Sequence, residues 1–236
     1  FSMLIAAMNQ SFFTLSLGMG SMMIFGSYIG KDRGLLSESI QITILDTFVA
    51  LMSGLIIFPA CFSYDIPTDS GPSLIFITIP KVFEYMTGGR IWGILFFLFM
   101  TFAALSTVIA VLENIIACNM ELFHISRKRA SILNFFVLAI GSMPCVLGFN
   151  VFSNIHPLGE SSTILDFEDF LVSNLILPFG SLIILLFCVS KRGWGFSYYL
   201  EECNAGNGWK MPAKIRFYVT WILPFIVLFI AANGLF

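Results

Sequence analysis

Apolar positions dominate this chain in six long runs separated by polar stretches: Phe1–Ile29, Ile40–Phe62, Ile91–Met120, Ala130–Val151, Phe170–Ser190 and Phe217–Phe236. Each meets the roughly 20 residues that a helix needs to cross a bilayer. The pattern predicts an all-α, polytopic membrane protein, with residues 1–236 forming a single transmembrane bundle. The first run carries no charged side chain, yet its middle, Gln10-Ser-Phe-Phe-Thr-Leu-Ser-Leu-Gly-Met-Gly20, is polar and glycine-rich. Broken backbone is tolerated at membrane depth only where it is buried in protein or lines a water-filled cavity. The patch therefore predicts an interrupted helix at a binding site.

Composition supports the class: 58% of residues are hydrophobic, 11% are charged and 27 are Phe. That is far from the usage of a soluble domain. The net charge of −2 gives no reason to expect a nucleic-acid partner, and the five cysteines form no CxxC pair. Cys61, Cys118, Cys145 and Cys188 fall in or at the ends of apolar runs and read as small buried hydrophobes. Ten of the twelve Lys and Arg lie in the loops after the first, third and fifth runs, which places those loops in the cytoplasm. Both ends of the chain are then extracellular. With no initiator Met and no signal-peptide pattern, the sequence reads as the C-terminal part of a longer protein, with an odd number of spans upstream if the complete protein starts in the cytoplasm. The extracellular stretch 66–89 holds a short apolar run, Leu74 to Pro80, suited to a re-entrant or surface-lying lid helix. The loop Lys191–Lys214 is polar, with a turn at Asn204–Trp209.

Two runs contain a carboxylate, Asp46 and Glu113. A charged Asp near a helix centre costs roughly 2.5–3.5 kcal/mol on insertion scales, so Asp46 calls for a bound cation, a proton or a partner outside this chain. In the third run Ala103, Ser106, Thr107 and Ala110 share a helical face. Hydroxyls beside a small residue suit a hard monovalent cation, while helix packing, with the hydroxyls bonded to their own backbone, explains the stripe equally. Glu113 fits a structural or gating role as well as a ligand role. His124 and His156 show no metal-ligand spacing. Pro144, Pro178 and Pro224 predict helix kinks. Nothing resembles a nucleophile elbow, phosphate loop or zinc motif, so an enzyme is not expected.

Gln10–Gly20, followed by Gly26-Ser-Tyr28, closely resembles the sixth, broken helix of the neurotransmitter:sodium symporters, particularly the bacterial amino-acid members. Leu45–Gly54 is similar to the seventh helix, Gly71–Pro80 to the extracellular lid loop, Ala103–Glu113 to the eighth helix and Asp166–Asp169 to the start of the tenth. The resemblance implies the second inverted repeat of the leucine-transporter-like fold plus one helix, from the sixth helix to the eleventh. It implies sodium-coupled amino-acid symport in a bacterial inner membrane, with two sodium ions and an N-terminal half supplying the rest of the site. Thr14 and Asp46 match ligands of the first sodium site, and Ala103, Ser106 and Thr107 match the second. Phe13, Thr14 and Ser16 match the groups that hold the substrate amine, while Phe13, Met19, Thr107 and Val111 shape a mainly apolar pocket. Phe13 and Asp169 occupy outer-gate positions, and Tyr28 and Glu121 correspond to the cytoplasmic gate.

Asp46 stands where many relatives have Asn, and Ala50 where chloride-dependent relatives have Ser. That pairing predicts transport without a chloride requirement. An uncoupled channel or facilitator and a non-transporting membrane scaffold remain the alternative function classes.

Overall fold

A computed structural model describes residues 2–65, 74–159 and 162–234. The described residues are all helical apart from turns and one isolated bridge. Among them, five helical segments are long and apolar enough to cross a membrane: Leu35–Ser63, Gly89–Phe123, Arg127–Gly148, Ile164–Val189 and Ala213–Gly234. The first run is not one helix. It comprises α1 (Ser2–Thr14) and α2 (Ser21–Tyr28), divided at the polar patch.

The described residues fall into two compact units. The first holds residues up to Ser39 together with Ala110 onward. It contains α1, α2, the first turn of α3 (Leu35–Ser63) and the C-terminal part of α5 (Gly89–Phe123). Beyond these lie α6 (Arg127–Gly141), α7 (Met143–Gly148), α8 (Ile164–Leu171), α9 (Leu177–Val189), α10 (Phe196–Cys203) and α11 (Leu223–Gly234). Its core is Phe12 of α1, Leu177 of α9 and Val227 and Ile230 of α11, all buried, with Met8, Met19, Leu182 and Ile226 packed around them. One polar contact crosses this apolar packing, where the Asn9 amide donates to Asn174 Oδ1 at 3.0 Å. Gly234 permits it, since a Cβ there would lie 2.7 Å from Asn174 Oδ1.

Proline shapes these helices more specifically than a kink. Two π-helical turns, Val172–Ile176 and Tyr218–Ile222, end two residues before Pro178 and Pro224. Proline has no N–H and its ring crowds the carbonyl four residues back. The wider turn relieves this, and the preceding residues Leu177 and Leu223 donate five residues back, to Val172 and Tyr218. A third such turn, Leu74–Thr78, precedes Pro80. Pro144 sits instead just past the break between α6 and α7 at Ser142.

Two local features depart from the sequence reading. The fifth run was expected from Phe170, but its helix starts at Ile164. A capping box sets this start: Thr163 N–H donates to Asp166 Oδ2 at 2.7 Å and Asp166 N–H to Thr163 Oγ1 at 3.2 Å. The loop after it is not merely polar but contains α10, whose Phe196, Tyr199, Leu200 and Cys203 follow the spacing of one helical face.

The second unit spans Ile40–Ile109 and holds the rest of α3, α4 (Ile79–Tyr85) and the N-terminal part of α5. Cys61 and Val82 are its buried centre. Gly89 allows α4 to fold back on α5, because a Cβ there would sit 1.6 Å from Phe83 O. An apolar cavity of about 370 Å³ remains among α3, α4 and α5, lined in part by Ile57, Ala60, Val82, Trp92 and Phe96. The lid expected over 66–89 is helical from Leu74 to Tyr85. Its residues 66–73 lie outside the described residues.

Candidate functional site

The break in the first helix has an identifiable cause. Ser16 adopts a left-handed backbone, φ 52°, although it is not glycine. Its N–H donates to Phe13 O at 3.0 Å, and that of Leu17 to Phe12 O at 2.9 Å. These two bonds form a Schellman motif that ends α1 at Thr14. Gly18 and Gly20, at φ 82° and 80°, carry the chain into α2. Gly18 is also a contact point: a Cβ there would meet Leu177 O at 2.3 Å and Ser181 N at 2.8 Å. From α5, Asn114 donates to Met19 O at 3.0 Å.

Among the described residues, nothing donates to the carbonyl oxygens of Thr14, Ser16 or Leu17. Such oxygens at the negative end of a half-helix attract cations. Around them Phe12 points into the core while Phe13 and Thr14 are exposed on the other side. Met19 is partly buried against the core cluster. The Thr14 hydroxyl donates to Ser11 O at 3.4 Å.

In the second unit, Ser106 Oγ and Thr107 Oγ1 both donate to Ala103 O, at 2.7 and 3.2 Å. Three oxygens are thus gathered on one face of α5. Asp46 on α3 is half-exposed and, among the described residues, takes part in no ion pair. The residues matched to the first sodium site fall in different units, Thr14 in the first and Asp46 in the second.

At the far end of α2, the Tyr28 hydroxyl donates to Glu113 Oε1 at 2.9 Å. Arg127, at the start of α6, grips the same carboxylate with both guanidinium nitrogens, at 2.9 and 2.6 Å. A tight turn after α5, with His124 at φ 52°, leads into α6, whose first residue is Arg127. Sequence reasoning paired Tyr28 with Glu121, noted Glu113 only in general terms and missed Arg127. Glu121 makes no hydrogen bond or ion pair among the described residues. No local pattern marked Arg127, which lies 14 residues beyond Glu113. Asp169 on α8 accepts from Ser173 Oγ at 3.1 Å, and Val111 lies on α5 within the first unit.

Residues 2–236 match the family model of the sodium:neurotransmitter symporter family. The chain belongs to this family. Among its relatives, the uncharacterized sodium-dependent transporter YhdH of Bacillus subtilis (strain 168) is 34% identical over 223 residues, covering 94% of this chain and 48% of YhdH. An uncharacterized sodium-dependent transporter of Haemophilus influenzae is 30% identical over 234 residues, 98% of this chain and 50% of that protein. The crystal structure of MhsT in complex with L-phenylalanine superposes with a TM-score of 0.85 at 34% identity, covering 98% of this chain and 52% of MhsT. The family member described here therefore has the leucine-transporter-like fold and spans about half the length of the curated relatives it matches. Its family and fold are those of multi-pass membrane transporters rather than enzymes.

Proposed function

We propose that the complete protein is a sodium-coupled amino-acid symporter working by alternating access, and that this chain supplies its second inverted repeat and one further helix. The observation that carries the reading is the break between α1 and α2, with the uncommitted carbonyl oxygens of Thr14, Ser16 and Leu17. Those oxygens suit a substrate ammonium. Phe13, Met19, Thr107 and Val111 supply a mainly apolar wall, which favours a hydrophobic or aromatic amino acid. The complex of MhsT with L-phenylalanine supports that class.

All donors at the two ion sites are oxygens, the ligands a hard cation prefers. Thr14 and Asp46 would hold one sodium ion, and the Ala103 carbonyl with the Ser106 and Thr107 hydroxyls the other. Asp46 brings its own negative charge, so chloride is not required. Phe13 and Asp169 close the site from outside. On the cytoplasmic side the Tyr28–Glu113–Arg127 contact joins Tyr28 and Glu121 as the gate. The bacterial relatives support placement in an inner membrane.

Uptake of labelled amino acids into proteoliposomes holding the full-length protein tests the proposal. A sodium gradient is expected to drive accumulation, with sodium gluconate as effective as sodium chloride. Uptake that persists unchanged in potassium would replace the symporter with an uncoupled facilitator.

A further inference from the structure

The junction between α2 and α3 is zipped to the loop that follows α10. Asn207 N–H donates to Asp32 O at 2.9 Å and Gly34 N–H to Asn207 O at 2.9 Å, forming a parallel bridge between Arg33 and Asn207. Trp209 N–H extends it to Ser37 Oγ at 2.8 Å, in the first turn of α3. The loop is rigid in its own right. Asn204 donates to Met211 O at 3.0 Å and accepts from Met211 N–H at 2.7 Å, and the Lys210 ammonium donates to the carbonyls of Asn204 and Gly206. Beneath it α10 is anchored by buried Phe196 and Cys203, with the Arg216 guanidinium 5.7 Å from the Phe196 ring centre. The fit is close enough to demand glycine: a Cβ at Gly206 would lie 2.1 Å from Arg33 O, and one at Gly34 2.7 Å from Asn207 O.

Two kinds of contact therefore meet at the end of α2. Tyr28, Glu113 and Arg127 touch through exposed side-chain tips, which rotamer changes release. The loop bridge is made by backbone pressed on backbone. We infer that Gly34, Gly206 and Asn207 are positioning residues of a permanent brace. The brace holds the α2–α3 junction against α10 throughout the cycle, so the cytoplasmic gate opens by swinging α2 about the Gly30–Gly34 turn. The inference rests on the transport reading above.

Arg33→Cys with Asn207→Cys in the full-length protein, its native cysteines replaced, tests this. Bridged residues lie within the roughly 4.4–6.8 Å Cα spacing a disulfide accepts, and the oxidised pair is expected to keep sodium-driven uptake within about twofold of its reduced form. Gly206→Val, which forces the bridge apart, is expected to lower the maximal uptake rate about tenfold or more through misplacement of the gate, while sodium-dependent substrate binding persists. Uptake lost on oxidation and restored by reduction would overturn the brace alone. A wild-type protein with no sodium-dependent uptake would overturn the transport reading, and this inference with it.

Discussion

In the first unit the broken backbone at Leu15–Gly20 is held by packed chain on several sides. Phe12 is buried against α9 and α11, Gly18 abuts the Leu177 carbonyl, and Asn114 ties down Met19 O. In the second unit the oxygens of Ala103, Ser106 and Thr107 stand on an unbroken helix, of whose most apolar stretch only 6% is buried. Their hydroxyls bond to their own backbone. The break in the first unit is thus a conformation that needs its neighbours to exist, whereas the stripe in the second stands on a helix that forms without them. Altering the first should cost folding, and altering the second should cost ion binding with the fold intact.

The sharpest way to break this contrast is Gly18→Val. The left-handed backbone costs about 1–2 kcal/mol for a non-glycine residue and the crowding at Leu177 O about 1–3 kcal/mol more. A large fall in melting temperature of the full-length protein is expected, and an unchanged melt would show that the break is not packed as described. Asp46→Ala comes next. Losing a charged ligand weakens sodium binding by about 1.5–3 kcal/mol, or roughly 10- to 100-fold, with no change in the sodium-free melting temperature. Ser106→Ala with Thr107→Val removes two neutral ligands. Sodium affinity is expected to fall about 30-fold, at about 1 kcal/mol for each, again without loss of stability. An unaltered sodium dependence would show that the stripe is helix packing only.

Smaller effects are expected elsewhere. Glu113→Gln weakens an exposed contact worth about 0–1 kcal/mol, so the population open to the cytoplasm should rise by no more than about fivefold, as read by labelling of a cysteine placed beside Tyr28. Burial, the largest cause, and the neighbouring Cys203 raise the Tyr199 pKa in α10. A raised pKa means that the stabilisation is complete below the unfolded value, about 10, and is lost only as pH climbs toward the folded value. Proteolytic resistance of the α10 loop should therefore stay flat from pH 7 to about 9 and fall only in stronger alkali.

The broken helix was legible because polar and glycine residues in an uncharged apolar run have few explanations in a bilayer. The device that ends α1 was not, since the left-handed position falls on Ser16, whereas Gly18 and Gly20 are the residues that advertise such backbone. Legible but overlooked were the Thr163–Asp166 capping box and the amphipathic spacing of α10, both local patterns. Arg127 reaches Glu113 across the turn between α5 and α6, and the Arg33–Asn207 bridge joins loops far apart in sequence. Neither long-range contact has a local signature. The roles of Asp46 and the Ala103–Thr107 face came from resemblance, because a polar stripe alone reads equally well as helix packing.

The central claim of the proposed function is that the complete protein binds an amino acid together with sodium. Equilibrium binding of labelled phenylalanine to the full-length protein in sodium chloride, sodium gluconate and potassium chloride tests it most directly. Saturable binding of equal strength in both sodium salts, lost in potassium chloride, is the predicted result. Binding of equal strength in potassium chloride would contradict it.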